Sequence, residues 1–487
     1  MDLKGDLAGI VGSEYISDDP VILEAYVRDN SFSAPQKPRF VVKPKNVDEV
    51  QGIVKWANRT GTPLVPVSSD PPHSRGDTVP SLGGAVIVYL GRMKQITRIN
   101  RRNKMVMVEP GVTFSQLEPE LAKEGLRLPM PLLPRASKSV MTSCIEREPH
   151  LIPKYHWEMA EPVRCLEVVW GNGDRFTTGD AGTANLSLER QWEIGLSQAE
   201  PYGPGQVDFM RFVQGAQGTM GIVTWASLKC EVLPRLQKLF FVQSEKLDDL
   251  FDFTYKILRF RYGDELLLLN NSSLASILGK EDDQVRALRK ELPQWVLILC
   301  VAGYDTLPKK RVEFQESDIR DIAQQFGLSL ESTIPGAVDK QVLEVLSPSK
   351  ETCWKLSYKG GYQDIFFITT LNRTSEFVKT MYSLSESRGY PTSDIGIYIQ
   401  PVIQGVACHC EFNLPYDPTD PREVTKVKEL LAEASEALIK EGAFFSRPYG
   451  IWADMAFNRD AQTTVVLKKI KGIFDPNNVM NPGKLCF

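Results

Sequence analysis

The segment 215–224 reads GAQGTMGIVT, with glycines at positions 215, 218 and 221 directly before a β-branched run. Glycine lets a ligand or a neighbouring chain approach the backbone closely, and the strand that follows fixes where that backbone lies. The usual dinucleotide fingerprint, a strand followed by Gly-x-Gly-x-x-Gly and a helix, is absent from the sequence. The pattern therefore disfavours a Rossmann dehydrogenase and predicts a different glycine-lined ligand site.

The composition is that of a folded globular protein with more than one domain. The chain has 487 residues, 42% of them apolar and 24% charged, and a single core stops growing at roughly 250–300 residues. The 61 acidic and 57 basic residues are mixed along the chain and give a net charge of -4. Without a basic field, nucleic acid is not an expected partner.

The sequence predicts a cytoplasmic protein. Residues 1–12 contain Lys4 and no continuous apolar run, so we expect no secretory signal. No segment reaches the roughly 20 apolar residues that cross a bilayer, so no transmembrane segment is expected. The eight cysteines are scattered without a metal-like spacing, which is typical of free thiols in a reducing compartment.

Short β-like runs alternate with helices in the first part of the chain. The predicted strands are Arg39–Val42, Leu64–Val67, Ala85–Leu90, Ile96–Ile99 and Met105–Val108, and the predicted helices are Asn46–Gly61 and Phe114–Glu124. Two stretches without regular structure, Ser68–Gly84 and Pro129–Pro162, are long enough to indicate a functional role. A strand at Cys165–Trp170 then turns through Gly171-Asn172-Gly173-Asp174 into a strand near Phe176.

After about residue 233, the pattern predicts helices packed on an antiparallel sheet. The helices are Leu247–Phe260, Lys310–Phe326 and Ser375–Arg388, and the strands are Trp295–Ala302, Asp364–Thr369, Ile395–Val402 and Val406–Phe412. From Asp420 onward we expect two helices, Glu423–Lys440 and Ala461–Phe474, before the sequence Asp475-Pro476-Asn477-Asn478. The fold class is therefore α+β.

Several of these segments, taken in order, resemble the FAD-linked oxidases of the vanillyl-alcohol oxidase/p-cresol methylhydroxylase (PCMH) superfamily. They are helix 46–61 with its following strand, the turn 109–112, the strand 166–169, the segment 215–224 and the ending 475–484. The nearest branch looks like the glycolate oxidase catalytic subunit and D-lactate dehydrogenase group. The resemblance implies a PCMH-type FAD-binding domain of two subdomains at 1–235. A cap domain would follow at 236–420, its antiparallel sheet covered by helices, and the helical segment 421–487 would return to the FAD domain.

The resemblance implies bound FAD. The residues that match the family's cofactor-binding positions are Pro66, Ser68, Ser69, His73, Ser74, Gly76, Pro110, Gly111, Ser139, Thr142, Ser143, Gly215, Gly218, Thr219, Gly221, Ile222 and Asn481. Where relatives have a run of glycines to cradle the phosphates, this chain has Ser69-Asp70-Pro71-Pro72-His73. A carboxylate would repel phosphates, so we expect Asp70 to point away or to bind another group. His73 is the alternative candidate for a covalent link to the flavin.

A second departure lies at Met141-Thr142-Ser143, where relatives have Gly-Gly-Asn near the flavin. Thr142 and Ser143 still offer hydrogen bonds to a cofactor. The charged run 146–150 that follows either shapes the substrate site or forms a partner surface, and the sequence does not choose between these.

The candidate catalytic residues lie mainly in the second half of the chain. On the strand 405–413, GVACHCEFN, alternation places His409 and Glu411 on one face, as base and orienting carboxylate, and the two cysteines on the other. The His-rich metal motif of the nearest branch is absent here, so we expect no metal. Arg447 is a bidentate donor for a carboxylate, Tyr449 exchanges a proton or a hydrogen bond, and Tyr155 and His156 complete the set.

The function implied by the resemblance is that of an FAD-dependent dehydrogenase. It would oxidise a small hydroxy acid or alcohol by hydride transfer to flavin N5 and pass electrons to a quinone or to a protein, an iron–sulfur protein or an electron-transfer flavoprotein. One alternative is a phenolic alcohol or alkylphenol oxidase or hydroxylase, favoured by a Tyr-rich rather than an Arg-lined pocket. The other is a non-catalytic electron-relay subunit of a larger complex. The resemblance also allows a homodimer.

Overall fold

The computed structural model describes residues 2–156, 161–182, 186–347 and 349–487. A four-stranded sheet lies near the N-terminus, with the strand order Ile16–Ser17, Phe40–Val42, Val86–Tyr89 and Leu64–Val67. Val86–Tyr89 runs parallel to both of its neighbours. The carboxyl ends of these three strands therefore meet at one edge of the sheet, and the loop 68–84 leaves from that edge.

The second sheet is antiparallel and has five strands. Their order is Ile96–Asn100, Met105–Val108, Gly221–Lys229, Val163–Trp170 and Arg175–Thr177. Gly221 pairs with Trp170 at one end of the two central strands. This pairing holds the glycine-rich segment 215–221 at the end of the sheet, as its position before a β-branched run predicts.

A third, six-stranded antiparallel sheet carries the second half of the chain. Its order is Leu236–Ser244, Trp295–Gly303, Glu265–Asn270, Gly396–Val402, Ala407–Tyr416 and Gly361–Thr369. Large apolar cores lie on both of its faces. Small ladders pair Leu126–Arg127 with Glu231–Val232 and Thr333–Ile334 with Ala337–Val338.

Helices cover these sheets. The α-helices are Leu3–Val11, Pro20–Glu24, Val47–Thr60, Phe114–Lys123, Val140–Ile145, Leu188–Glu193, Phe251–Arg259, Asn271–Leu278, Asp282–Glu291, Pro308–Gln325, Asp339–Leu346, Thr374–Ser387, Pro421–Lys440, Ile451–Phe457 and Ala461–Phe474. In the helix Val47–Thr60, residues next to the helix determine where it begins and where it ends. The Asn46 side chain accepts from the Glu49 amide at 2.9 Å, and Gly61 ends the helix at a φ of 65°.

The α+β class and most of the predicted elements are confirmed. The loop 68–84 contains no helix or strand, and a hairpin does join 163–170 to 175–177. Two expectations were wrong. The stretch 129–162, of which residues 157–160 lie outside the described part, contains the helix Val140–Ile145, and the chain after residue 420 has a third helix, Ile451–Phe457. Both helices are short and lack an amphipathic repeat, so tertiary packing rather than local pattern forms them.

The last residues pack against the first sheet. The Leu64 amide donates to the Val479 carbonyl, and the Asn481 amide donates to the Leu64 carbonyl, each at 2.8 Å. The helix Pro421–Lys440, by contrast, packs its apolar side into a core of the six-stranded sheet. The division into 1–235, 236–420 and 421–487 stays a prediction.

Two further expectations concern the environment of the chain. All eight cysteines are free thiols. In the part of the chain that the structure describes, no helix has both the length and the apolar character needed to cross a membrane.

Candidate functional site

A cavity of about 670 Å³ lies between the two N-terminal sheets and the six-stranded sheet. Its volume falls within the roughly 300–1,000 Å³ range of ligand pockets. One wall, here called the cradle wall, is formed by the segments 66–78, 131–149 and 213–223. The opposite wall, the cap wall, is formed by residues from 353–366, 398–411 and 447–454. The backbone turns that the sequence separates by about 150 residues therefore converge on one space.

Most of the expected cofactor-binding residues line this cavity. Those on its surface are Pro66, Ser68, Ser69, His73, Ser74, Pro110, Thr142, Gly215, Gly218, Gly221 and Ile222. The remaining six, Gly76, Gly111, Ser139, Ser143, Thr219 and Asn481, do not line it and make supporting contacts. For example, Ser139 Oγ donates to the Pro110 carbonyl at 2.6 Å, and Asn481 Nδ2 donates to the Asp77 and Gln217 carbonyls at 2.9 and 2.7 Å.

The hydroxyl groups of the loop after Val67 are tied to the helix 140–145. Ser68 Oγ lies 2.5 Å from Thr142 Oγ1, and Ser69 Oγ accepts from the Ser139 amide at 2.9 Å. Asp70, the carboxylate that would repel a phosphate, accepts from the Tyr89 hydroxyl at 2.6 Å and does not line the cavity. The loop thus keeps the Asp70 carboxylate away from the cradle wall, as we expected.

Two glycines of the segment 215–221 stand where a side chain has no room. Gly218 has a φ of 70°, and an added Cβ would lie 2.4 Å from Pro66 Cγ. At Gly221 an added Cβ would lie 2.5 Å from the Val169 carbonyl oxygen. Gly215, with a φ of 66°, has open space beside it within the cavity. Backbone, rather than side chains, therefore faces a ligand along this stretch.

These features fit a dinucleotide cofactor. A cradle made of glycine backbone and short hydroxyl side chains offers hydrogen bonds to phosphates and ribose without filling the space they need. His73 adds a neutral donor or acceptor, because burial, together with nearby Arg135, lowers its pKa to about 4. Its Nε2 is buried without a hydrogen-bond partner among the described residues. The residues present therefore suit FAD.

The charged run 146–150, which the sequence left open, shapes the cavity. Glu146 and Glu148 line it, and Arg75 binds both, at 2.7 and 2.9 Å. Lys138 adds a 2.5 Å ion pair to Glu148. Although burial alone would raise the pKa of Glu148, Lys138 and Arg75 hold it well below its usual range. This cluster joins the cofactor loop to the helix 140–145.

The cap wall holds a second charged cluster, built on Lys355. Its ammonium group lies 2.6 Å from a carboxylate oxygen of both Asp364 and Glu411. His409 Nε2 lies 3.1 Å from the other oxygen of Glu411, and Asn413 donates to Glu411 at 2.8 Å. Burial raises the pKa of Glu411, but Lys355 and His409 together hold it well below its ordinary value. Glu411 is therefore an ionised carboxylate on the cavity wall.

The pair His409 and Glu411 shares one face of the strand, as alternation predicts, while Cys408 and Cys410 enter an apolar core. Their order toward the cavity is the reverse of the one expected. Glu411 lines the cavity, whereas His409, 1% exposed, lies behind it against the Tyr398 and Phe366 rings. Burial lowers the pKa of His409, which favours a neutral imidazole. The geometry thus assigns His409 to orient Glu411 rather than to reach a substrate.

Arg447 is the cation of the cap wall that has the fewest partners. Its side chain lines the cavity at 6% exposure, and Nη1 is buried without a hydrogen-bond partner among the described residues. Its guanidinium lies 4.5 Å from the Phe366 ring centroid. Burial and the like charge of Arg75 lower the pKa of Arg447. An anionic ligand at this position would relieve both costs.

Tyr449 lies beside Arg447 in the same wall. Its hydroxyl is also buried without a hydrogen-bond partner among residues 2–156, 161–182, 186–347 and 349–487. The guanidinium of Arg75 lies 5.3 Å from the Tyr449 ring centroid, so cradle wall and cap wall meet here. Burial raises the pKa of Tyr449, which keeps it a neutral hydrogen-bond donor.

Two predicted catalytic residues lie outside the cavity. The Tyr155 hydroxyl donates to Glu231 at 2.7 Å, and the Lys229 ammonium lies 3.8 Å from the centroid of its ring. His156 does not line the cavity either. Their catalytic roles are not supported by this placement, because the chain turns away from the cavity after Pro149.

Sequence reasoning missed several residues of the cavity surface. Arg75 and Asp77 lie in the same loop as His73 and Ser74, and their charge beside predicted cofactor contacts was a usable signal. No such signal marks Lys355, Asp364, Tyr362 and Tyr398, since they lie in no recognisable motif and the pairing of the strands 361–369, 396–402 and 407–416 brings them to the cavity.

Comparisons with known proteins match segments that contribute to the cradle wall and to the cap wall. A family model described as an FAD binding domain matches residues 38–142, and one described as the C-terminal domain of FAD linked oxidases matches residues 373–485. The D-2-hydroxyglutarate dehydrogenase of Stutzerimonas stutzeri is 23% identical over 99% of this chain and 98% of its own length. The flavoprotein subunit of 4-cresol dehydrogenase from Pseudomonas putida is 23% identical over 96% and 93%.

Solved structures share the fold across the whole chain. The 4-ethylphenol oxidase of Gulosibacter chungangensis superposes with a TM-score of 0.84 at 19% identity, covering 99% of this chain and 96% of its own. Substrate-bound p-cresol methylhydroxylase gives a TM-score of 0.82 at 18% identity, covering 100% and 96%. The chain therefore contains an FAD binding domain and a C-terminal domain of the FAD-linked oxidase type, has the PCMH-type fold, and is an FAD-dependent oxidoreductase.

Proposed function

We propose that this protein is a dehydrogenase of a small hydroxylated organic acid. The observation that carries the proposal is Arg447, a buried guanidinium on the cavity wall with an Nη1 donor that no described residue satisfies. An unpaired buried cation costs several kcal/mol unless an anion joins it. A substrate carboxylate would accept a planar, two-point interaction from this side chain.

The rest of the cap wall would position such a substrate. The Tyr449 hydroxyl would donate a second hydrogen bond to the substrate beside Arg447. The Phe366 ring packs against both side chains. Glu411, held ionised by Lys355, lines the wall close to these groups. Together they orient the carboxylate at one end and leave the hydroxyl-bearing carbon toward the cradle wall. FAD, when bound, supplies a two-electron acceptor for the hydride of that carbon.

A phenolic alcohol or alkylphenol is the second candidate substrate. Tyr362, Tyr398, Tyr449, Phe366 and Trp354 line the same cavity, so the pocket is rich in aromatic rings as well as in arginine. A phenolate is an anion that Arg447 would bind as it binds a carboxylate. Relatives of both kinds support the pair of candidates, since one is named for a hydroxy acid and another for 4-cresol.

We also propose that the electrons leave through a partner protein or a quinone, and that the protein works in the cytoplasm. One relative is named as the flavoprotein subunit of its enzyme, which supports a protein partner. The eight free cysteines support a reducing compartment.

Anaerobic bleaching of the purified yellow protein tests the proposal. D-lactate or glycolate should reduce the bound flavin, and Arg447→Met should lower kcat/KM by about 10²- to 10³-fold, because removing one partner of a buried charge pair costs about 2–5 kcal/mol. Arg190→Met, which removes an exposed arginine paired with Glu193, is the matched control and should change nothing.

The other outcomes separate the alternatives. Bleaching by phenolic alcohols alone would support the second candidate. Bleaching by a reduced partner protein alone would indicate an electron-relay subunit and overturn both substrate proposals. Equal kcat/KM for Arg447→Met and Arg190→Met would remove Arg447 from the substrate site.

A further inference from the structure

Among the described residues, six carboxylates line the cavity, and four of them pair with cations. These are Asp77, Glu146, Glu148, Asp364, Glu411 and Asp454. Glu146 and Glu148 bind Arg75, and Asp364 and Glu411 bind Lys355, all at 2.9 Å or less. The cations hold the pKa of Glu148 and of Glu411 well below the ordinary value. Burial raises the pKa of Asp364, but Lys355 and Asn413 occupy its two carboxylate oxygens. The groups left are Asp77 and Asp454, and Asp454 is exposed on the helix Ile451–Phe457.

Asp77 lies at the junction of the cradle wall and the cap wall. Its carbonyl accepts from Asn481 Nδ2 at 2.9 Å, and the preceding Gly76 carbonyl accepts from the Lys484 ammonium at 2.7 Å. These two bonds fix the backbone of the loop at this point. In the described part of the chain, no cation lies within ion-pair distance of the Asp77 carboxylate. The backbone at Asp77 is therefore fixed, and its carboxylate is not neutralised by an ion pair.

The charged and titratable groups that face Asp77 come from five segments of the chain. They are Arg75 and Glu146 of the cradle wall, Asp29 of the N-terminal segment, Tyr449 of the cap wall and Lys484 near the C-terminus. Burial, with the negative charge of Glu146, raises the pKa of Asp77 to about 7 against the opposing effect of Arg75. A group of this kind exchanges its proton readily at neutral pH, as a general base requires.

We infer that Asp77 is the catalytic base that takes the proton of the substrate hydroxyl. The inference rests on the proposed function, since it places the hydroxyl of a substrate bound at Arg447 and Tyr449 next to Asp77. In the step, the O–H bond breaks and its proton goes to the Asp77 carboxylate. The C–H bond of the same carbon breaks and its electron pair goes with the hydrogen to oxidised FAD. The carbon is oxidised from alcohol to carbonyl, and the cofactor is reduced.

The test compares the wild-type holoenzyme with Asp77→Asn and with Asp305→Asn, a control at an exposed carboxylate outside the cavity. Below pH 7 the wild-type rate of flavin bleaching should rise about tenfold per pH unit and level off above it. Asp77→Asn should keep its FAD spectrum, bleach about 10²- to 10⁴-fold more slowly and lose this pH dependence. Asp305→Asn should match the wild type, and Asp77→Glu should restore part of the rate with a displaced pH profile.

A second measurement needs no substrate. Infrared difference spectra of the holoenzyme should show a protonated carboxyl band that disappears with a midpoint near pH 7, and Asp77→Asn should lack this band. A band that persists in Asp77→Asn, or a pH dependence that survives in it, would overturn the inference. A wild-type flavin that no hydroxy acid or phenolic alcohol bleaches would instead overturn the proposed function, while the infrared result still decides the protonation of Asp77.

Discussion

The two walls of the cavity present different chemical groups to a ligand. The cradle wall consists of turns in which backbone and short hydroxyl groups face the ligand, and its tightest points are glycines such as Gly218. The cap wall consists of long side chains, with Lys355 between two carboxylates and Arg447 against Phe366. The cradle wall thus works through shape and the cap wall through charge. The cradle wall suits a ligand that this protein shares with other proteins. The cap wall suits a substrate, whose identity differs from one protein to another.

Removing the central cation of the cap wall should have the largest effect on stability. Lys355→Met leaves Asp364 and Glu411 buried and facing each other, and breaking a buried ion pair in this way costs about 3–5 kcal/mol. Denaturant unfolding followed by fluorescence measures the loss. Lys123→Met, which removes an exposed pair with Glu120, should cost no more than about 1 kcal/mol.

Lys355→Met also tests whether charge pairing stabilises the cap wall. A triple variant that also carries Asp364→Asn and Glu411→Gln should recover most of the lost stability, because the unpaired charges are gone. A loss for Lys355→Met no larger than that of Lys123→Met would mean that the cap wall is not an electrostatic unit.

A smaller effect is expected where the cradle wall is tightest. Gly218→Ala places a methyl group 2.4 Å from Pro66 Cγ at a φ of 70°, and such overpacking costs about 1–3 kcal/mol. The FAD Kd should rise by about 5- to 150-fold, measured by flavin fluorescence on titration of the apoprotein.

Gly205→Ala is the control for this variant, because it places an alanine at a positive φ without a steric clash. Gly205 has a φ of 75° with nothing within 4 Å of an added Cβ, and it does not line the cavity. Gly205→Ala should leave the FAD Kd unchanged. An unchanged Kd for Gly218→Ala would show that this turn does not shape the cofactor site.

The smallest effect should come from the buried histidine of the cradle wall, His73. The pKa of His73 is about 4 in the folded chain, below the 6.5 of a free imidazole, because burial disfavours the charged ring. The unfolded chain then binds more protons between these values, so stability is lost as pH falls from about 6.5 toward 4. The loss should reach about 1 kcal/mol at pH 5.5.

Thermal midpoints at pH 7.5 and 5.5 measure this effect. His73→Gln keeps a hydrogen-bonding side chain without the titration, so its midpoint should fall less between the two pH values than that of the wild type. Equal falls would place the charge change elsewhere in the molecule.

The contrast between the walls also explains which parts of the site the sequence could predict. Gly215 and Gly218 were predicted because the turn that each makes is encoded by its immediate neighbours, and Ser68 because its loop matches the phosphate-binding turn of the family that the sequence resembles. Alternation placed His409 and Glu411 on one strand face, but it does not give their depth relative to the cavity, since depth depends on the neighbouring strands. Lys355 was missed because it lies in the short turn Trp354–Leu356, and its partners lie 9 and 56 residues away on two strands.

The helices show the same difference between elements that neighbouring residues determine and elements that contacts with distant segments determine. The helix Val47–Thr60 was predicted with its caps, because Asn46 and Gly61 act on adjacent backbone groups. The helix Val140–Ile145 was not, since its contacts come from the loop 68–74 and from Pro110 rather than from its own pattern.

The amino-acid sequence by itself determined the α+β class, the ligand loop after Val67 and the glycine turn before Gly221. These depend on backbone preferences and hydrogen bonds within a few residues of each other. The tertiary structure alone decided that Arg75, Asp77, Lys355 and Arg447 meet around one cavity, and which of their charges are paired. Pairing and burial set the proton affinity and ligand preference of such groups, and both depend on distances between segments that lie far apart along the chain.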